Sequence, residues 1–170
     1  MDLRKYIRDV PDFPKKGIVF KDITPLLNDR DALHYALTAL AERFQGRGIT
    51  KVVGIESRGY IFAPAIALAL KAGFVPVRKP GKLPWKTVAE EYELEYGKDR
   101  LEIHLDSVLP GEKVLVVDDL LATGGTASAA HRLVRRLQGV VVGSGFLVEL
   151  TFLEGRGRLS GADVVSLIQY

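Results

Sequence analysis

The apolar positions of this chain fall into short continuous runs and longer stretches of helical spacing, in alternation. Val52 to Ile55 and Val114 to Val117 are β-branched runs bounded by turn signals, the pattern of strands buried on both faces of a parallel sheet. A helix is predicted after each. The first runs from about Ile61 to Lys71, with Ile61, Ala65, Leu68 and Ala72 on its packed side and Gly73 as its stop. The second carries Ala127, Ala130, Leu133, Val134 and Leu137 at spacings of three and four. Asp31 is placed to cap a further helix reaching Phe44, with Leu33, Leu37, Leu40 and Phe44 on one face. Phe74 to Val77 reads as a strand whose Pro76 suits a sheet edge. Val140 to Val148 and Ala162 to Ile168 complete the sheet. Strands alternating with helices predict an α/β fold: a mostly parallel central sheet with helices on both faces.

Three stretches stand outside this alternation. Leu3, Tyr6, Ile7 and Val10 have helical spacing, ended by Pro11. Asp12 to Pro25 has an apolar centre among prolines and a glycine, and reads as an ordered loop or short strand. Val88 to Tyr96 and Asp99 to Leu105 alternate loosely about Gly97-Lys98, which predicts a hairpin. Before it, Arg78 to Lys86 holds four cations broken by prolines and a glycine, the pattern of a mobile basic loop.

The chemistry gathers where the two buried runs stop. Val114 to Val117 leads into Asp118, Asp119, Leu120, Leu121, Ala122, Thr123, Gly124, Gly125 and Thr126, and then into a helix. Ligands of open α/β sheets bind at such strand ends. Glycines admit close backbone approach, and loop N–H groups at a helix N-terminus suit a phosphate. Thr123 and Thr126 add hydroxyl donors. Two carboxylates would repel that phosphate, so they suit sugar hydroxyls or a metal. A ligand with both a phosphate and a diol is a ribose phosphate. A plain strand–turn–helix corner capped by Asp119 would explain the turn, but not both acids, both glycines and both threonines. The other run ends in Glu56-Ser57-Arg58-Gly59 and repeats the geometry, with Arg58 as a fixed positive charge.

Composition narrows the class. In 170 residues, 47% are hydrophobic and 26% charged, as in an ordinary soluble domain. The net charge of +3 is small and dispersed, which argues against a nucleic-acid binder but is compatible with a small anionic substrate. No run predicts a membrane span, and Met1 to Lys5 does not open a signal peptide, so a cytoplasmic protein is expected. With Cys at 0, neither a disulfide framework nor thiolate chemistry is open to it. His34, His104 and His131 have no metal-like spacing. The scarcity of Cys, Met, Asn and Gln is a thermophile tendency.

VLVVDDLLATGGT resembles the phosphoribosyl-pyrophosphate (PRPP) motif of the type I phosphoribosyltransferases, in the form found in the adenine-specific branch. ESRG, VRKPGKLP, LEYG and GIVFKDITPLL resemble further segments of that branch. The resemblance implies one domain over 1–170, with an N-terminal hood over 1–30 and a basic loop and β flap over 78–105. It implies the reaction of adenine with PRPP to give AMP and pyrophosphate, with Mg²⁺ held mainly by PRPP and water and with no direct protein ligand. Ala122 to Thr126 would hold the 5-phosphate, and Asp118 and Asp119 the ribose hydroxyls. Glu56, Ser57, Arg58 and Gly59 would face pyrophosphate, as would Arg78 and Lys82, partly across a homodimer interface. Val19, Phe20, Lys21 and Leu120 would meet adenine, and Glu95 would assist it, with Glu93 as the competing carboxylate. Asp118, Asp119, Arg58 and Glu95 are the expected catalytic residues. Neither nucleic acid nor membrane is an expected partner. Other branches stay open: a xanthine- or guanine-type phosphoribosyltransferase, or a non-catalytic PRPP-sensing regulator. A PRPP synthase would be larger and need an ATP site.

Overall fold

A computed structural model describes residues 1–94 and 97–170. A 3-10 turn over Leu3–Tyr6 leads into strands β1 (Arg8–Pro11) and β2 (Val19–Asp22), then helices α1 (Thr24–Asn28) and α2 (Arg30–Glu42). Next come β3 (Lys51–Ile55), α3 (Gly59–Leu70), β4 (Gly73–Val77), β5 (Thr87–Leu94) and β6 (Gly97–His104). The chain continues through β7 (Lys113–Leu121), α4 (Gly125–Arg136) and β8 (Val140–Glu149). Two 3-10 turns, Thr151–Leu153 and Gly155–Leu159, then precede β9 (Asp163–Gln169).

Five strands make one parallel sheet in the order β4-β3-β7-β8-β9. β7 is central, and Val114 to Val117 are wholly buried, as their uninterrupted apolar run requires. Alternate residues feed opposite cores. Val52, Leu115 and Val117 pack with Leu40 of α2, with Phe44 just beyond it, and with Phe62 and Ile66 of α3. Val53, Ile55, Val114 and Val116 pack with Ala130, Leu133 and Val134 of α4. Helices therefore lie on both faces. β4 sits at the edge, where Pro76 costs no ladder bond. His131 of α4 is buried, 2.7 Å from Ser144 Oγ of β8, and burial, aided by the Arg135 charge, lowers its pKa to about 4. It is thus a neutral tie between helix and sheet.

The structure departs from the sequence expectations at several points. The N-terminal helix is instead a single 3-10 turn and a strand: Val10 pairs with Phe20 in the antiparallel β1–β2 ribbon. A helix so short does not sustain its own nucleation, and strand pairing satisfies the same backbone groups. Asp29, not Asp31, caps α2, its Oδ1 accepting from Asp31 N at 3.1 Å and Ala32 N at 2.8 Å. α3 buries Phe62, Ala63, Ile66 and Ala67, whereas Leu68 is 80% exposed and Ile61 41%. Its apolar residues surround the axis, so periodicity could not choose a face. Lys71 in the left-handed region stops α3, and Gly73 opens β4.

β7 runs past the acid pair to Leu121. β3 pairs with it only as far as Val117, and β8 alone carries the remainder. The hairpin forms, but β6 begins at Gly97, so Gly97 and Lys98 lie in the strand. Nor is it a free flap: Tyr92, Leu101 and Ile103 are buried in the core beside α4. The basic loop is tied down as well. Lys79 Nζ donates to Tyr92 Oη at 2.9 Å and pairs with Asp99, while Arg78 and Lys82 both reach Glu56.

Candidate active site

The ends of β3 and β7 and the start of α4 enclose a cleft of about 480 Å³. Glu56, Ser57 and Arg58 form one wall, Lys79 and Tyr92 another, and Asp118 through Ala127 the floor and far side. The sheet topology makes this space: β3 stops beside Val117 while β7 runs on to Leu121, and each strand then turns into a helix.

Ala122 to Thr126 curl over the N-terminus of α4, with Gly124 as the residue before it. Gly124 has φ 79°, a left-handed conformation that glycine alone adopts at no steric cost. Gly125 begins the helix. No side chain caps this end, so its first N–H groups and its positive pole are directed to whatever occupies the cleft.

Asp119 is buried, and its Oδ2 lies 2.8 Å from Arg58 Nε. This is an ion pair without hydrogen-bond alignment, so Oδ2, shut off from solvent, keeps an open acceptor position. Asp118 Oδ1 accepts from the Asp119 N–H at 2.9 Å. Burial pushes the Asp118 carboxyl well above the usual carboxylate range, and the Asp119 charge adds to this. Burial raises Asp119 too, but Arg58 opposes it. Burial thus disfavours charge on both acids, and the Arg58 ion pair supports it on Asp119. Two adjacent carboxyl groups, one of them with an open acceptor oxygen, suit vicinal hydroxyls.

On the opposite wall the Glu56–Ser57 peptide is cis. Burial opposes the Glu56 charge, but Lys82 Nζ at 2.8 Å, the Lys79 N–H at 2.9 Å and Arg78 Nη2 at 3.1 Å hold its pKa at about 2. Arg78 and Lys82 thus reach the cleft through Glu56, while Lys79, to which no role was expected, lines it directly. Tyr92 and Leu121 also line it. None of the three carried a signal of its own, because only the packing of the hairpin on α4 brings Tyr92 there and only the extension of β7 brings Leu121. Gly59 stands behind the wall, where a Cβ would meet the Val117 carbonyl at 2.8 Å.

The hood meets the site at Arg58, whose guanidinium lies 5.3 Å from the centre of the Phe20 ring. Phe13 stacks edge-on against that ring at 5.2 Å. Val19 and Lys21 flank Phe20 on β2, so their backbone groups share one strand edge. The Lys21 side chain turns elsewhere, to Asp9 at 2.7 Å and the Tyr170 ring at 3.9 Å. Leu120 lines the cleft between the acids and the loop. Glu95 lies outside the described residues. Glu93 is exposed on β5, and its carbonyl lies 3.2 Å from where a Gly125 Cβ would stand.

Among the described residues, no group of three or more His, Cys, Asp or Glu is arranged to hold a metal ion. Of the carboxylates lining the cleft, Glu56 is engaged by Lys82, Arg78 and the Lys79 N–H, which leaves Asp118 and Asp119 as donors. That set fits an Mg²⁺ held chiefly by substrate oxygens and water, as Mg²⁺ usually is, and not a protein cage.

The comparisons with known proteins agree with this geometry. The phosphoribosyl transferase domain family matches residues 28–161. The chain belongs to the phosphoribosyltransferase family. Within it, an adenine phosphoribosyltransferase of Symbiobacterium thermophilum is 59% identical over 170 residues, covering 100% of both chains. The crystal structure of adenine phosphoribosyltransferase from Thermoanaerobacter pseudethanolicus has a TM-score of 0.96 at 54% identity, over 99% of this chain and 98% of its own. That of the Saccharomyces cerevisiae enzyme, complexed with an imino-altritol bisphosphate and adenine, has a TM-score of 0.92 at 42% identity, over 98% of this chain and 96% of its own.

Proposed function

We propose that this protein transfers the phosphoribosyl group of PRPP to adenine, giving AMP and pyrophosphate. The observation that carries the reading is one cleft holding an anion cradle at the α4 N-terminus and, beside it, an acid pair with an open buried acceptor. In the transfer, the bond from the anomeric carbon to pyrophosphate breaks with its electron pair leaving on pyrophosphate, adenine N9 bonds to that carbon, and the purine N–H proton passes to the assisting carboxylate or to water. The difficulty is electrostatic, since the ribose ring gains positive charge while the leaving group gains negative charge. Ala122 to Thr126 fix the 5-phosphate. Asp118 and Asp119 orient the hydroxyls and set negative charge near the ring. Arg58 and Lys79 face the departing charge, with Arg78 and Lys82 behind Glu56. Mg²⁺, when bound to PRPP, would neutralise part of the pyrophosphate charge. Glu95, or Glu93 in its place, assists the purine as N9 attacks.

Base choice falls to the hood. The Watson–Crick edge of adenine offers an amino donor and a ring-nitrogen acceptor, and hypoxanthine and guanine reverse that pattern. Backbone groups at Val19 and Lys21, fixed in the ribbon, supply a carbonyl and an N–H in matching order. A wrong base then leaves buried polar groups unpaired, which discriminates by roughly 10⁴-fold. The test is pyrophosphate release from PRPP and Mg²⁺ against a panel of nucleobases. Activity with adenine alone is expected, and comparable kcat/KM for adenine and hypoxanthine would sink the assignment.

A homodimer completes the proposal. Ile61 and Leu68 of α3 and Phe74 of the edge strand are exposed and apolar. If Arg78 also serves the partner's site, mixing inactive Arg78→Ala and Asp119→Asn subunits will restore activity. No recovery despite proven subunit exchange would refute the sharing. No helix of the described residues is long and apolar enough to cross a membrane, and a cytoplasmic enzyme of purine salvage is the reading we adopt.

A further inference from the structure

We infer that Gly155 and Arg156, which do not line the cleft, are positioning residues that set the height and tilt of the phosphate loop. This rests on the reading of Ala122 to Thr126 as the 5-phosphate cradle. A Cβ on Gly155 would stand 2.1 Å from the Ala122 carbonyl oxygen and 2.9 Å from Gly124 N. A Cβ on Gly124 would stand 2.4 Å from the Gly155 carbonyl oxygen. Each of these neighbours is main chain, so no side chain can rotate away. The loop therefore rests, backbone on backbone, on Gly155, and anything larger there must lift it.

The support is itself braced. β8 ends at Glu149, which lies opposite Leu121 of β7, and Leu150 N donates to Leu121 O at 2.9 Å. Glu149 is buried, 4% exposed, and takes a two-pronged contact from Arg156: Nε at 2.9 Å and Nη2 at 2.6 Å. Arg156 Nη1 donates to the Val164 carbonyl of β9 at 2.6 Å. The Arg156 contacts hold the Glu149 carboxyl below its ordinary range. Leu159 closes the turn, buried against Leu121 and Ala127, which flank the loop on either side. Gly155 is thus pinned to β8 and β9 through the residue next to it. The loop takes its position from this distant segment as well as from its own sequence.

A loop shifted by about an ångström keeps its fold but loses its aim at the phosphate. Gly155→Ala should weaken ribose 5-phosphate and AMP binding by roughly tenfold to 10²-fold, since a misplacement near 1 Å costs that much. Arg156→Ala should weaken both less, and Arg156→Lys should recover part of the loss. Binding of magnesium pyrophosphate and the KM for adenine should stay unchanged, a split that general destabilisation would not produce. Thr126→Ala serves as the reference for the cradle. If Thr126→Ala weakens ribose 5-phosphate while Gly155→Ala and Arg156→Ala do not, this inference is overturned. Equal losses for ribose 5-phosphate and pyrophosphate would overturn it too. If Thr126→Ala itself has no effect, the cradle reading fails and this inference with it. Should Gly155→Ala not fold, the two Arg156 variants decide.

Discussion

The two ends of the proposed site are built from different materials. At the phosphate end the contacts are main chain: a glycine in a left-handed conformation, the first N–H groups of α4 and the Gly155 backbone beneath. At the proposed base end stands a two-stranded ribbon outside the cleft lining, with Phe20 over Arg58 and the Lys21 side chain tied to Asp9 and Tyr170. The phosphate end is continuous with the sheet core through β7 and α4. The hood meets the described cleft at Arg58, beside the Phe20 ring. A fixed backbone cradle suits a ligand part common to every phosphoribosyl substrate, and a separate ribbon lets the base contacts differ without disturbing that cradle. Between the two ends sits the acid pair, where the proposed transfer would take place.

This contrast predicts a gradient of effects. Asp119→Asn should lower kcat by about 10²–10³-fold with the circular dichroism of the fold intact, because it removes both the open acceptor and the charge paired with Arg58. Near-normal turnover would end the hydroxyl-holding role, and a loss of thermal stability that tracks the loss of rate would make Asp119 structural. Next comes the cradle. Gly124→Ala should weaken PRPP binding about tenfold or more, and by more than Gly125→Ala, because only Gly124 combines a φ of 79° with a carbonyl 2.4 Å away. Equal effects in calorimetric titration would show that helix entry, not loop backbone, sets the affinity. At the base end, Phe20→Ala should raise KM for adenine by roughly tenfold and move KM for PRPP far less. A matched rise in both would join the hood to the phosphate end. The smallest effect is on stability. The folded pKa of Glu56, about 2, lies below its ordinary 4.5. Its ionic contribution is present above pH 4.5 and disappears as pH falls toward 2. The Tm of Glu56→Gln should therefore depend less steeply on pH across that window than the wild-type Tm, and parallel slopes would contradict the pairing with Lys82 and Arg78.

The sequence by itself determined the sheet and one end of the site. Val52 to Ile55 and Val114 to Val117 could only be doubly buried strands, and acids, glycines and threonines in one contiguous stretch announced a ribose phosphate site. Such features are legible because the residues that make them are neighbours in the chain. Tertiary structure alone decided the rest. It chose which side of the all-apolar α3 is buried, turned the N-terminal helix expected from spacing into a 3-10 turn and a strand paired with β2, and packed Tyr92, Leu101 and Ile103 of the hairpin into the core beside α4. It brought Lys79 and Tyr92 into the cleft and placed Arg78 and Lys82 on Glu56. It also set Gly155 under the loop, 31 positions beyond Gly124 in the chain yet in direct backbone contact with it. Helical or strand spacing records what a residue does to its neighbours in sequence. Which surfaces meet after the chain has crossed the sheet is fixed by the packing of whole elements, and no local pattern encodes that.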